Sequence, residues 1–93
     1  MLYARVDGNI TATRKHKSLT GWRLLICQPL DARGDPAGAP TVAIDPYGAG
    51  LHERVIVSTD GEASRKMVGD PSSPVRNMII GIVDPSSYSK EKK

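Results

Sequence analysis

A chain of 93 residues is the size of one small domain, and such a domain buries only about 60–65% of the surface that its unfolded chain exposes. Its 39% hydrophobic and 25% charged residues are ordinary for a globular domain and argue against intrinsic disorder. The net charge of +3 comes mostly from the last four residues, Lys90-Glu91-Lys92-Lys93. The rest of the chain is nearly neutral, which argues against a nucleic-acid-binding domain.

The cysteine count and the length of the apolar runs indicate the cellular compartment. Cys27 is the single cysteine of the sequence, so an intramolecular disulfide is excluded. The N-terminus lacks a signal-peptide pattern, and we therefore expect a cytosolic protein. The longest apolar run, 78–83, is far shorter than the roughly 20 residues of a membrane span, and we expect no membrane partner.

Two strands are predicted in the first third of the chain. Apolar and polar residues alternate through 2–13, which is typical of a half-buried strand. Gly8 falls on the inward face, where a bend or a close backbone approach is expected. The segment 22–30 is apolar on both faces of its middle, which indicates a central strand. Cys27 in its middle is expected to be a buried structural thiol.

Shorter elements follow. Strands are predicted at 41–45 and 53–59, with a glycine-rich turn between them, and one or two helical turns at 62–67. The last predicted strand, 77–84, is apolar on both faces, so either a short helix or a neighbouring subunit must cover it.

The whole pattern predicts a mainly all-β fold: a small five-stranded, OB-like β-barrel with a short helical segment. The barrel domain is expected to occupy residues 1–84. Residues 85–93 form a polar, basic C-terminal tail.

The densest basic cluster is Arg14-Lys15-His16-Lys17. On an OB-like barrel such a cluster could bind single-stranded nucleic acid, but these barrels usually also stack bases on strand aromatics. Tyr3 is the one aromatic residue expected on an outward strand face near the cluster. A solvated loop or a subunit-interface patch is the ordinary alternative.

Catalytic and metal-binding patterns are weak. His16, His52 and Asp45 could assemble a small metal site, but no His or Cys pair has ligand spacing. Asp45 ends a strand beside a proline, where capping a turn is the usual role. We therefore expect no enzyme activity, no metal and no cofactor.

The turn Gly48-Ala49-Gly50 is too short for a phosphate-binding loop. Its small residues suit either a tight turn between two strands or the close packing of several copies around a symmetry axis. The sequence alone leaves both interpretations open.

Taken in order, segments along nearly the whole chain resemble the pentameric shell family of bacterial microcompartment vertex proteins, which includes the ethanolamine-utilisation and carboxysome types. The matching segments are Gly8-Asn9-Ile10-Thr11-Ala12-Thr13-Arg14-Lys15-His16 with Leu19-Thr20-Gly21, Leu24-Leu25-Ile26-Cys27-Gln28-Pro29-Leu30-Asp31, Ala43-Ile44-Asp45-Pro46-Tyr47-Gly48-Ala49-Gly50, Glu53-Arg54-Val55, and Ile80-Gly81-Ile82-Val83-Asp84.

The resemblance implies a β-barrel subunit that forms a homopentamer and caps the fivefold vertices of a cytoplasmic shell built otherwise from hexameric tiles. If the protein is such a pentamer, we expect Gly48, Ala49 and Gly50 to lie at or near its fivefold axis. An Ala49→Trp variant is then expected to keep the barrel and harm assembly.

Subunit contacts are expected at Arg14, Lys15 and His16, with Glu53 as a partner. The sequence departs from the family pattern at His52, where a glycine is common, and at Arg76, where an acidic or small residue is expected.

Overall fold

A computed structural model of the chain describes residues 1–11 and 16–85. It contains five strands and an eight-residue helix, with a short 3-10 turn before the second strand. The predicted mainly-β fold with one short helix is confirmed. The elements are β1 (Leu2–Ile10), the 3-10 turn (Lys17–Leu19), β2 (Arg23–Pro29), β3 (Thr41–Asp45), β4 (Arg54–Ser58), α1 (Gly61–Val68) and β5 (Met78–Ile82).

The strands close into a barrel in the order β1-β2-β3-β5-β4, and β4 pairs back onto β1. The pairing of β3 with β5 is parallel and consists of one bridge, Ile44 to Met78. Asn77 supports this seam, because its Nδ2 donates to Thr41 Oγ1 at 2.7 Å and to the Val42 carbonyl at 3.2 Å. Full closure removes most of the unpaired strand edges of an open sheet.

The first strand bends where its pattern suggested. It ends at Ile10, which pairs with Leu24, and Thr11 is not strand, while residues 12 and 13 of the predicted strand lie outside the described residues. The register against β2 shifts between Val6 and Gly8, which leaves Asp7 as the extra residue of a β-bulge. A Cβ at Gly8 would meet Ile26 at 3.9 Å, an ordinary contact, so the bend is present but a close backbone approach is not.

The barrel interior is aliphatic and small. All five strands contribute to it, and one loop residue, Ala49, joins them. Cys27 is fully buried there, as predicted for a structural thiol. The buried residues of the barrel interior are Ala4, Val6, Leu25, Cys27, Ala43, Ala49, Val55, Val57 and Ile79.

A second apolar cluster lies on the outside of the barrel and explains why β2 and β5 are apolar on both faces. Ile44, Val75 and Met78 form its buried centre, with Trp22 and Val68 among the side chains packed around them. Helix α1 contributes Val68 to this cluster, so the helix helps to cover the Met78 end of β5 within the same chain. Ile82 at the end of β5 stays 40% exposed.

Helix α1 has a capping residue at each end. The Asp60 carboxylate accepts from the backbone N–H groups of Glu62 and Ala63, and Gly69 ends the helix in the left-handed conformation with φ 76°. The fully buried Ser64 hydroxyl donates to the Arg76 carbonyl at 3.0 Å. This contact holds the helix against the segment that leads into β5.

Candidate functional site

The loop between β3 and β4 is organised by one buried carboxylate. Asp45 accepts hydrogen bonds from the backbone N–H groups of Tyr47 (2.9 Å), Gly48 (3.0 Å) and Ala49 (2.7 Å). This is the turn-capping role predicted for Asp45, with three backbone donors satisfied by one side chain.

Arg23 completes the arrangement from the neighbouring strand. Its Nη1 donates to Asp45 Oδ2 at 2.8 Å and to the Ala49 carbonyl at 3.1 Å. The Asp45 side chain is fully buried in this pair while that of Arg23 is 47% exposed. The positive charge therefore compensates a carboxylate that has left water, and it ties the loop to β2.

The far end of the loop is fixed by a second carboxylate and by the backbone. Glu53 Oε1 accepts from the Gly50 N–H at 2.5 Å. The N–H of His52 donates to the Val6 carbonyl at 2.8 Å, and that of Val6 donates to the Glu53 carbonyl at 2.9 Å. Every backbone N–H from Tyr47 to Gly50 thus has a carboxylate acceptor from its own chain.

The three small residues of the turn have different local reasons to be small. Gly48 has φ 85°, a conformation that side chains other than glycine rarely adopt, and a Cβ there would meet nothing within 4 Å. A Cβ at Gly50 would lie 3.2 Å from Glu53 Oε1. Ala49 is 0% exposed inside the barrel core. These residues lie within the eight-residue loop between β3 and β4, and a position at a symmetry axis stays a prediction.

The burial of Ala49 corrects one expectation. A tryptophan at this position would have to enter the barrel interior, so Ala49→Trp would disrupt the barrel itself and would not test assembly.

The residues predicted at subunit contacts are only partly described. Arg14 and Lys15 lie outside the described residues. His16 is half-buried, and its Nδ1 accepts from the Ser18 N–H at 3.1 Å, which caps the 3-10 turn. Ser18 Oγ in turn donates to Ser73 Oγ at 2.6 Å. His16 and Glu53 thus both make contacts within their own chain, and a role between subunits stays a prediction.

His52, which stands where the family commonly has glycine, has a left-handed backbone conformation. His52 has φ 70° and is the one non-glycine residue with positive φ among those described. A glycine at this position would adopt the conformation without strain.

Two charged groups near this end of the barrel interact directly. Arg5 Nε donates to Asp7 Oδ1 at 2.7 Å, and this hydrogen bond lowers the pKa of the Asp7 carboxyl below its usual value. His52 adds a smaller electrostatic contribution in the same direction. The bulge residue of β1 therefore carries a stable negative charge beside the loop.

A metal site is not assembled from the candidates. Within residues 1–11 and 16–85, no group of three or more His, Cys, Asp or Glu side chains is placed to hold a metal ion. His16, His52 and Asp45 are accordingly not brought together as ligands. In the same part of the chain, no helix is both long and apolar enough to cross a bilayer.

Sequence reasoning missed the contribution of Arg23 and the exposure of Tyr47 and Leu51. The side chains of Tyr47 and Leu51 are 58% and 60% exposed on the loop that Asp45 organises. No charge pattern singles out Tyr47 and Leu51, because the uncharged run at 46–51 is shorter than those at 24–30 and 36–44. No local pattern pairs Arg23 with Asp45, because that contact depends on strand register.

Comparisons with known proteins agree with this architecture. Residues 1–84 match the family model described as "Ethanolamine utilisation protein EutN/carboxysome". The chain is 43% identical over 84 residues to the carboxysome shell vertex protein CcmL of Synechocystis sp., covering 90% of this chain and 83% of that protein. It is 40% identical to the microcompartment shell vertex protein EutN of Salmonella typhimurium, covering 90% and 84%.

Solved structures agree as well. CcmL of Gloeobacter violaceus superposes with a TM-score of 0.80 at 38% identity, covering 90% of this chain and 86% of that chain. The pentameric microcompartment shell protein GrpN of Rhodospirillum rubrum gives a TM-score of 0.79 at 36% identity, covering 90% and 94%. By sequence along residues 1–84 and by its closed five-stranded barrel, the chain belongs to the EutN/CcmL family.

Proposed function

We propose that this protein is a shell vertex protein: a cyclic homopentamer that caps the fivefold vertices of a bacterial microcompartment in the cytoplasm. The observation that carries the proposal is the likeness of the entire barrel to shell vertex proteins, one of them described as pentameric, at 36–43% identity.

The geometry of a shell gives this role its physical reason. A sheet of hexagonal tiles cannot close into a polyhedron without fivefold points, and a ring of five identical subunits supplies them. In such a ring each subunit presents one surface to the next and a different surface to the previous one, so the contact is heterologous and closes on itself. We infer a structural role without catalysis, which the structural role of the relatives supports.

The first experiment is the native mass of the purified protein at moderate and at high salt. We expect five subunits at both, because an interface held by apolar burial survives screening of charges. A monomer at both salt concentrations would contradict the proposal. Binding of single-stranded nucleic acid would instead appear as an affinity that falls steeply with salt, and none of the relatives named above supports that function.

The partner beyond the pentamer is proposed to be a hexameric shell tile. Co-expression of the protein with a hexameric tile of a microcompartment shell tests this, since closed particles are expected with the vertex protein and open sheets or tubes without it. Identical products with and without the vertex protein would argue against this partner.

The residues that we propose for assembly keep their sequence-based assignment. The segment Gly48 to Gly50 is proposed to lie at or near the axis. Ala49 would contribute by anchoring this segment in the barrel core. Arg14, Lys15 and His16 are proposed to contact the next subunit, with Glu53 as a partner. Residues 1–84 are proposed as the shell domain and 85–93 as a separate tail.

Charge reversal tests the basic cluster. We expect Lys15→Glu to weaken the pentamer or its docking to tiles, because it would replace attraction by repulsion at a subunit contact. Lys17→Glu, an exposed position in the 3-10 turn, is the matched control. An unchanged native mass together with unchanged tile assembly for Lys15→Glu would show that Lys15 lies outside the interface.

A further inference from the structure

A groove of about 420 Å³ lies on the outer face of β2 and β3. Leu24 and Val42 line it, while the residues that follow them, Leu25 and Ala43, are buried in the barrel core. Since successive side chains of a strand point to opposite faces, Leu24 and Val42 face away from the core and form the floor of the groove. Val42 is 44% exposed, so this floor is apolar and accessible to solvent.

The two walls of the groove are tied to each other and to the barrel. One wall is the 3-10 turn and the other is the segment 74–77. Next to the groove, Ser18 Oγ of the first wall donates to Ser73 Oγ, beside the second wall, at 2.6 Å. The far end of the second wall is held by Asn77, whose Nδ2 donates to the Val42 carbonyl at 3.2 Å. The groove therefore exists before a partner binds, and binding there costs little ordering entropy.

The rim of the groove carries one positive charge. Arg76 is the one charged residue among the described residues that line the groove, and its side chain is exposed. Within residues 1–11 and 16–85, no carboxylate lies within ion-pair distance of its guanidinium group. The Arg76 backbone is fixed by its carbonyl, which accepts from the buried Ser64 hydroxyl at 3.0 Å. A guanidinium group presented in this way favours a carboxylate on the partner.

An extended peptide that alternates apolar and acidic side chains matches both the floor and the rim. Its apolar side chains would contact Leu24 and Val42, and its carboxylates would point away from the floor, within reach of the long Arg76 side chain. The groove is open along its surface, which suits a chain that enters and leaves. Small-molecule sites, in contrast, enclose most of the surface of their ligand.

The charge of the protein itself argues that this peptide comes from a different protein. The C-terminal residues 90–93 contain three lysines and one glutamate, which have the same net sign as Arg76. A second copy of the chain brings a net charge of +3. Charge complementarity therefore disfavours both the tail of this chain and another copy, and it favours an acidic partner.

We propose that the groove on the outer face of β2 and β3 binds an extended segment of another protein in which apolar side chains alternate with carboxylates. Arg76 binds a carboxylate of this segment, and Val42 contacts the adjacent apolar side chain. The inference goes beyond the proposed vertex role and does not depend on the number of subunits. It gives each subunit a docking site for a separate acidic partner.

Isothermal titration calorimetry of the intact protein with two capped pentapeptides tests the proposal. The acidic probe is acetyl-Asp-Leu-Glu-Val-Asp-amide, and the basic probe is acetyl-Lys-Leu-Lys-Val-Lys-amide. We expect the acidic probe to bind at least about tenfold more tightly, because the probes share their apolar side chains and differ in the sign of their charges. Equal affinities, or an absence of acidic-probe binding at millimolar concentration, would overturn the inference.

Reversal of the charge at Arg76 locates the binding site. We expect Arg76→Glu to weaken binding of the acidic probe by about tenfold or more and to strengthen binding of the basic probe. The fold should be unchanged, as circular dichroism checks, because the side chain is exposed and the contact with Ser64 uses only the Arg76 carbonyl.

Arg33→Glu is the matched control for this reversal. It makes the same change of net charge at a side chain that is 81% exposed in the loop between β2 and β3. We expect Arg33→Glu to bind the acidic probe as the wild type does. An equal loss of affinity for Arg33→Glu and Arg76→Glu would show a general attraction of charges and would overturn the inference.

The apolar floor is tested at Val42. Val42→Thr keeps the branched shape of the side chain but exchanges a methyl group for a hydroxyl group, so we expect it to weaken binding of the acidic probe several-fold. Met67→Thr makes a comparable loss of apolar surface at an exposed position of α1 and should leave binding unchanged. An unchanged affinity for Val42→Thr would place the peptide elsewhere.

The accessibility of the groove in the native protein is measured with Val42→Cys. Cys27 is buried, so the wild type provides the unreactive background. We expect a maleimide reagent to label Val42→Cys in the native protein, and we expect the acidic probe to slow this labelling. If the native variant is not labelled, the groove is already covered by another copy or by the tail, and the inference is wrong.

The outcomes separate this inference from the proposed function. A wild-type pentamer that does not bind the acidic probe would overturn the inference and leave the vertex role in place. A wild-type monomer that binds the acidic probe through Arg76 would contradict the vertex role and support the docking site.

Discussion

At the scale of single residues, Asp45 organises the loop between β3 and β4. Its buried carboxylate satisfies three backbone donors and Arg23 at once, so its removal leaves several buried polar groups without partners. We expect Asp45→Ala to lower the free energy of unfolding by about 2–4 kcal/mol. Urea denaturation at one fixed protein concentration measures this difference.

The matched control is Asp35→Ala. Asp35 is 64% exposed, and its carboxylate lies 3.9 Å from Arg33 Nε, a surface pair worth at most about 1 kcal/mol. Equal losses of stability for the two variants would mean that the network around Asp45 contributes no more than a surface carboxylate.

His52 carries a conformational cost that glycine would avoid. The residue is exposed with φ 70°, and a non-glycine residue in this conformation is strained by roughly 1 kcal/mol or more. We expect His52→Gly to be more stable than His52→Ala by about 1 kcal/mol, as measured by the urea midpoint of each variant. A more stable alanine variant would contradict backbone strain at this position.

At the scale of elements, two glycines in different settings give opposite expectations. Gly69 ends α1 with φ 76°, so Gly69→Ala should destabilise the protein by about 1 kcal/mol. Gly8 lies in β1 without positive φ, and a Cβ there has room beside Ile26. Gly8→Ala should therefore be neutral or stabilising by about 0.5 kcal/mol.

Thermal and urea unfolding of the two alanine variants measure this contrast. If Gly8→Ala is as damaging as Gly69→Ala, the bulge in β1 requires glycine for a reason other than space in the single chain.

At the scale of the whole molecule, Cys27 reports whether the barrel is closed. Its thiol is fully buried in the core, and burial raises its pKa to about 11. The thiolate is the reactive form, so labelling by thiol reagents at pH 8 should require opening of the barrel. We expect the labelling rate to rise with urea in step with unfolding. Rapid labelling of the native protein at pH 8 would contradict a closed barrel.

The same raised pKa predicts the direction of a pH effect on stability. The folded state favours the neutral thiol, so this contribution is fully present below the pKa of the unfolded thiol, near 9, and is lost as the pH rises towards about 11. A Cys27→Ala variant should lack this part of the alkaline loss of stability, and comparing urea midpoints of both proteins from pH 8 to pH 11 isolates it. An identical alkaline loss in both would assign it to other groups.

Much of the element order was predictable because its signals are local. The limits of β3 were predicted as Thr41–Asp45 and observed there, since a turn signal follows Asp45 directly. The helix predicted at 62–67 is followed in the sequence by Gly69 and Pro71, which are both stop signals, and α1 ends at Val68. The turn-capping role of Asp45 followed from its place before Pro46. Each of these features depends on residues within a few positions of one another.

The sequence by itself therefore determined the mainly-β class, the approximate limits of the strands and helix, and the family through its ordered segments. Only the tertiary structure decided that β3 joins β5 in parallel, that Ala49 fills the barrel core, and that Arg23 binds Asp45. It also left Tyr47 and Leu51 exposed beside a buried Ala49. The physical reason is that strand order and register are non-local: they decide which face of a strand that is apolar on both sides turns inward, and periodicity within a segment carries no information about its partner.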